Sequence, residues 1–298
     1  MYIKPIFFLT LIFSLVPHSV LAEVVHSERS LYRNIIVEDT DDLRCLKFNV
    51  KHSKTSQSCM FKSEPDKLVF NYTKLLFSSL LLIDNPRSIL IIGLGGGTMS
   101  NTLHQLYPEA TITNVEIDPA VVKVAREYFD FLENDRINTE VKDGRIFVKR
   151  AAIKKQEYDW VILDAFNGDY IPEHLLTAEF LEEIKSVMSE NGVLSANTFS
   201  VSELYKHESA TYQSVFGHFY NVSNNLNNNR IILTQKTSNT SINQMAIRAE
   251  KLADPLAKYD IDIYRILNSI KSTKEEQDWP DNTQILTDQF SPANLLNH

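Results

Sequence analysis

The chain has 298 residues, a formal net charge of -8 and 43% hydrophobic residues. That length and hydrophobic share exclude a disordered or collagen-like chain and allow one large α/β domain with a small appendage. The acidic balance, with no Lys/Arg cluster beyond short pairs such as Lys154-Lys155, argues against a nucleic-acid partner.

The first residues read as a targeting segment. Lys4 supplies a positive start, Ile6 to Val16 an apolar run, and Val20-Leu21-Ala22 a small-residue cleavage pattern beyond Pro17. A membrane span needs about 20 apolar residues, more than this run offers. The expectation is a signal peptide over residues 1–22, cleaved after Ala22, and an exported protein, periplasmic or secreted. An uncleaved leader is the alternative, and it would be the protein's only tie to a membrane.

Residues 23–68 read as a small β unit. Asn34 to Val37 and Leu43 to Val50 have strand composition, with Asp39 to Asp42 as the turn between them. Ser53 to Ser58 reads as a polar loop, with a further strand starting between Ser56 and Phe61. The two cysteines, Cys45 and Cys59, both fall in this unit. In an oxidising compartment they could form a disulfide worth on the order of 3 kcal/mol, and two unpaired thiols are the alternative. No Cys/His cluster has zinc spacing, so no metal is expected.

Residues 69–298 read as a Rossmann-like domain. Phe70 to Leu82 has the length and apolar spacing of a helix, ended by Pro86. Strands and helices then alternate. Ser88 to Ile92, Thr111 to Val115, Ile137 to Val141, Trp160 to Leu163 and Val193 to Asn197 are the expected strands. The intervening helices are Met99 to Leu106, Pro119 to Phe131, Arg145 to Ala152 and Ala178 to Met188. Such repeated units imply a parallel, doubly wound sheet. Leu204 to Phe216 follows as a helix. Tyr220 to Ser223 and Arg230 to Thr234 read as an antiparallel pair about an asparagine-rich turn, and Ile242 to Lys258 and Ile263 to Ile270 as closing helices.

Glycine is the informative residue. The chain has only eight, where average usage near 7% would give roughly twenty. Four of them are Gly93, Gly95, Gly96 and Gly97, between the first strand of the alternating region and the next helix. A dinucleotide fingerprint would place a third glycine where Thr98 stands. The shorter GxGxG at Gly93, Gly95 and Gly97 suits a ligand of the S-adenosylmethionine type, which carries no pyrophosphate. Glu116, ending the second strand, is placed to accept both ribose hydroxyl protons, and Asp143 with Gly144, after the third, to meet an adenine amino group.

Together with this loop, the stretches VEIDPAVVKVAREYF, KDGRIFV, YDWVILDAF and LTAEFLEEIKSVMSENGVLSANTFS resemble the spermidine/spermine synthase family of polyamine aminopropyltransferases. The resemblance covers about Leu31 to Phe219, and the small β unit ahead of a Rossmann-like domain matches the family's layout. It implies the class I S-adenosylmethionine-dependent transferase fold. The implied reaction is aminopropyl transfer from decarboxylated S-adenosylmethionine to a polyamine such as putrescine, without a metal. It also implies roles: Asp164 as the catalytic aspartate, Tyr72 on the acceptor side, and Gln57 as a glutamine of the β unit. Three positions depart from the family. Thr98 and Asn167 stand where it has aspartates, and Thr73 where it has histidine or glutamine. Two other functions fit the same residues: a methyltransferase using intact S-adenosylmethionine on a small acceptor, and a non-catalytic adenosyl- or polyamine-binding protein. A homodimer is compatible with the sequence.

Overall fold

The computed structural model of the protein describes residues 22–50, 53–166, 170–200, 204–223, 228–237 and 240–292. Residues 1–21 of the expected signal peptide, Asn167 and most of the expected asparagine-rich turn lie outside them. The described residues begin with β1 (Glu23–Arg29), β2 (Asn34–Thr40), β3 (Leu43–Val50), β4 (Ser53–Phe61) and α1 (Asn71–Leu76). Alternation follows: β5 (Ser88–Ile92), α2 (Thr98–Leu106), β6 (Thr111–Glu116), α3 (Pro119–Tyr128), β7 (Ile137–Val141), α4 (Gly144–Ile153), β8 (Tyr158–Leu163), α5 (Ala178–Ser186) and β9 (Met188–Phe199). The last elements are α6 (Leu204–Phe216), β10 (Tyr220–Ser223), β11 (Asn229–Gln235), α7 (Ile242–Ala257), α8 (Ile263–Asn268) and β12 (Ile270–Ser272).

The first four strands form an antiparallel sheet in chain order. Its buried face carries Ile35, Val37, Leu46, Phe48 and Met60, which pack on Val121, Val124 and Phe129 of the α3 segment. The small sheet is thereby fastened to the larger domain through apolar area removed from water. Ser53 to Ser58, expected as a loop, is the first part of β4. Its serines, threonine and lysine lack an apolar alternation, yet they pair with β3 from Ser53↔Val50 onward. The edge strand β1 was also unexpected, since its polar alternation leaves it largely open to solvent.

Cys45 and Cys59 face each other across β3 and β4 and form a disulfide. The pairing register steps by one residue beside them: Leu46 faces Ser58 but Lys47 faces Ser56, so Gln57 is the extra residue of a β-bulge. A bulge re-aims its side chain, a device common beside active sites. Replacing both cysteines by serine is expected to lower stability by about 3 kcal/mol. Equal denaturation midpoints for wild type and variant, under oxidising conditions, would refute this.

The larger sheet has eight strands in the order β12-β10-β11-β9-β8-β5-β6-β7. From β9 to β7 they are parallel, whereas β11 runs antiparallel to β9, and β10 and β12 continue that edge. The sheet is therefore mixed, not wholly parallel. β5 shows why the middle is buried on both faces. Ile89 and Ile91 enter one apolar core and Leu90 and Ile92 the other, as a two-residue period demands.

Several boundaries differ from expectation. The helix expected over Phe70 to Leu82 is α1 followed by a 3-10 segment, Phe77–Leu81, every residue of which is buried. The expected helix through Phe131 stops at Tyr128, before Asp130 adopts a left-handed φ of 53°. The helix expected to reach Met188 ends at Ser186, because Met188 already pairs with Tyr158. The next pair is Trp160↔Val193, so Gly192 lies in an irregular excursion inside β9. Ile270 starts β12 and does not end a helix. Among the described residues, no helix is long and apolar enough to cross a membrane.

Candidate active site

β5 lies between β6 and β8, so the chain order reverses there and a crevice opens at the strands' C-terminal ends. A cavity of about 340 Å³ occupies it, with β4 and the segment before β2 as its far wall. The cavity gathers nearly every residue singled out from the sequence.

The glycine loop forms its floor. Gly93 has φ 100°, and a Cβ there would stand 2.2 Å from the carbonyl oxygen of Asp164, so only glycine fits. Gly95 backs onto Ser58 of β4. The bareness of Gly97 serves a different purpose from the one expected, since a Cβ on it would strike Phe131 at 2.4 Å. Gly144 also lines the cavity, and its missing side chain lets α4 pack on Ile92, whose Cγ2 lies 2.6 Å from where a Cβ would be.

Glu116 ends β6, facing this loop. Its carboxylate accepts the backbone N–H of Leu94 at 3.1 Å and of Asp118 at 3.0 Å. Burial raises its pKa, and those two N–H donors and the nearby Arg33 oppose the rise. The carboxylate is therefore rigidly held, with lone pairs left for a diol. Asp143 caps α4 by accepting the Ile146 N–H at 2.9 Å, while its other oxygen meets His174 Nε2 at 2.9 Å. The His174 hydrogen bond is the main reason its pKa is lowered. Both oxygens of Asp143 are thus already engaged.

Asp164 follows β8 directly. Its backbone N–H donates to Ile92 at 2.8 Å, which keeps it beside Gly93. Its carboxylate accepts from the Asn197 amide at 2.9 Å and from the Tyr72 hydroxyl. Desolvation dominates these two donors and lifts the carboxyl to about 7. A carboxylate poised near neutrality suits proton transfer at physiological pH. Burial and the adjacent carboxylate hold the Tyr72 phenol well above its ordinary value, so it stays a donor. Gln57, on its bulge, lines the same cavity. Asn167 lies outside the described residues.

Other residues of the cavity were not singled out individually by the sequence. Asn197 and Asn229 sit on strands whose pairing brings them to the cavity. Arg33 reaches across from the small sheet, donating to the carbonyl of Phe166 at 3.3 Å and stacking over Phe48. Phe166 and Phe199 meet edge to face and give the cavity an apolar stretch of wall. Among the described residues, no group of three or more His, Cys, Asp or Glu is placed to hold a metal ion.

The chain is similar to known proteins in sequence and in fold. The family signature for the spermine/spermidine synthase domain matches residues 69–219. A polyamine aminopropyltransferase of Vibrio vulnificus (strain CMCP6) is 46% identical over 277 residues, which is 92% of this chain and 91% of that one. A crystal structure of a probable spermidine synthase from Corynebacterium glutamicum ATCC 13032 has a TM-score of 0.70 at 22% identity, covering 89% of this chain and 97% of that one. A spermidine synthase solved with the transition-state analogue AdoDATO has a TM-score of 0.57 at 18% identity, over 91% and 84% of the two chains. At such identities the structures establish the fold, the Rossmann-like methyltransferase type with a small antiparallel sheet ahead of it. The close bacterial relative reaches further, across both the small sheet and the cavity, and places this chain in the spermidine/spermine synthase family, as a transferase of that family.

Proposed function

We propose that the protein transfers the aminopropyl group of decarboxylated S-adenosylmethionine to an amine of a polyamine such as putrescine, releasing methylthioadenosine. The observation that carries this reading is the Asp164 carboxylate, held by Tyr72 and Asn197 beside the glycine loop. A neutral amine attacks the methylene carbon next to the sulfonium. The new N–C bond forms as the C–S bond breaks, and its electrons leave the sulfur as a neutral thioether. The amine's proton passes to Asp164 and then to solvent. Much of the remaining acceleration comes from alignment of amine, carbon and sulfur in the cavity.

In this reading Glu116 binds the ribose diol, and Asp143 and Gly144 border the adenine. Gly93, Gly95 and Gly97 shape the loop beneath the sulfonium. Tyr72, Gln57 and Asn167 attend the amines. The test incubates the protein with putrescine and either decarboxylated or intact S-adenosylmethionine. Methylthioadenosine formed only when an amine is present supports transfer. S-adenosylhomocysteine from the intact donor would mean a methyltransferase instead, and binding without any product a non-catalytic protein.

Export is part of the same proposal. The leader pattern and the Cys45–Cys59 disulfide both suit an oxidising compartment. The expected result is a mature N-terminus at Glu23 in protein recovered from outside the cytoplasm. An intact Met1 in that protein would refute cleavage.

A further inference from the structure

We propose that Asn229 is a positioning residue for the transfer, fixing the Asn197 amide in the one orientation that supports an ionised Asp164. This rests on the reading of Asp164 as the proton acceptor. Three side chains stand in line. Asn229 Nδ2 donates to Asn197 Oδ1 at 2.9 Å, and Asn197 Nδ2 donates to Asp164 Oδ1 at 2.9 Å. The direction of this chain follows from chemistry. An ionised carboxylate only accepts, so Asn197 must present its NH2 to Asp164 and its carbonyl to the other side. Asn197 is 4% exposed, and a carbonyl buried at that depth needs a donor. Asn229 supplies it.

Without Asn229 the Asn197 amide gains an alternative. Rotated by half a turn, it would set its carbonyl against Asp164. That contact repels a carboxylate and welcomes a protonated carboxyl, which has a hydrogen to give. The amide chain therefore selects the charge state of Asp164.

The strands beneath are built to hold this line. Arg230, the residue after Asn229, is 1% exposed and points to the opposite face of the sheet. It donates to Thr198 Oγ1 at 2.9 Å, Ser209 Oγ at 2.8 Å and the Tyr205 carbonyl at 3.1 Å, and stacks on the Tyr205 ring. Glu208 lies 3.6 Å from it. Thr198 directly follows Asn197, so one buried guanidinium ties together the strand ends that carry both asparagines. The other charged and titratable groups around the cavity are Tyr72 on α1, Glu116 on β6, Asp143 with His174, Tyr32 and Arg33 before β2, and Lys142. None of them is altered by substitution at Asn229.

The test compares wild type with Asn229→Ala and the isosteric Asn229→Asp. The acid limb of kcat/KM is expected to move up by about one pH unit in Asn229→Ala, and further in Asn229→Asp, whose carboxylate draws the Asn197 NH2 away. The loss at pH 7 is then about fivefold in Asn229→Ala and larger in Asn229→Asp, and it recovers toward pH 9, while KM for the donor stays the same. A 13C NMR titration of the Asp164 carboxyl reads the same shift without turnover. If wild type makes no methylthioadenosine, the functional reading fails, and the NMR titration still decides the positioning role. Unchanged Asp164 titration in both variants would overturn the proposal.

Discussion

Replacing Asp164 by asparagine is expected to lower kcat/KM at pH 8 by roughly 10²–10⁴-fold, the usual worth of a general base. Donor binding should survive, because Gly93, Glu116 and the rest of the loop are untouched. The wild-type profile should rise through an acid limb near pH 7, where the Asp164 carboxyl titrates. Below that pH the base is protonated and idle. The limb should vanish in Asp164→Asn, leaving only the slower rise due to deprotonation of the acceptor amine at higher pH. Stability should move the other way. A carboxyl whose folded pKa is raised favours the protonated folded state, so its contribution is lost as pH climbs from about 4 through 7. Asp164→Asn should therefore melt a few degrees above wild type at pH 8 and close to it at pH 4. A variant that kept wild-type turnover at pH 8 would remove Asp164 from the mechanism.

Residues that share this cavity were legible in the sequence where the signal was local. Gly93, Glu116, Asp143 and Asp164 each stand at or just after a strand's end, and the apolar run Ser88–Ile92 declares itself without knowledge of its neighbours. Residues that act through pairing gave no such sign. Asn197 meets Asp164 across 33 positions and Asn229 meets Asn197 across 32, and both contacts exist only because β9 lies between β8 and β11. Arg33 touches Phe166 across 133 positions, from the segment just before β2. β4 was hidden by composition, since a strand rich in serine and threonine resembles a loop until its partner is known. Even the glycines were only partly legible. Gly93 belongs to the strand-end crossing, whereas Gly97 is small because Phe131 packs on it, a fact of tertiary packing that no spacing announces.

Gly93 is also where one methyl group should do most harm. Its N–H donates to Val115 at 2.9 Å, and the neighbouring Ile92 carbonyl accepts the Asp164 N–H at 2.8 Å, so three strand ends converge on it. In Gly93→Ala the new Cβ would meet the Asp164 carbonyl oxygen at 2.2 Å, its carbonyl carbon at 2.7 Å and the Ala165 nitrogen at 3.0 Å. All three are backbone atoms, so no rotamer change relieves the contact. A φ of 100° adds strain of its own, on the order of 1–3 kcal/mol. Relief requires β5 and β8 to part at their ends, and that displaces the Asp164 carboxylate along with the floor of the cavity. Loss of turnover by at least about a hundredfold is expected, with weakened donor binding and a melting temperature lowered by more than the backbone strain alone explains. Gly217→Ala separates the two contributions. Gly217 has φ 74°, and a Cβ added there would meet nothing within 4 Å, so it carries left-handed strain without the clash and should cost about 1 kcal/mol with turnover intact. If Gly93→Ala behaves like Gly217→Ala, the close approach of the glycine loop to Asp164 does not hold the site together.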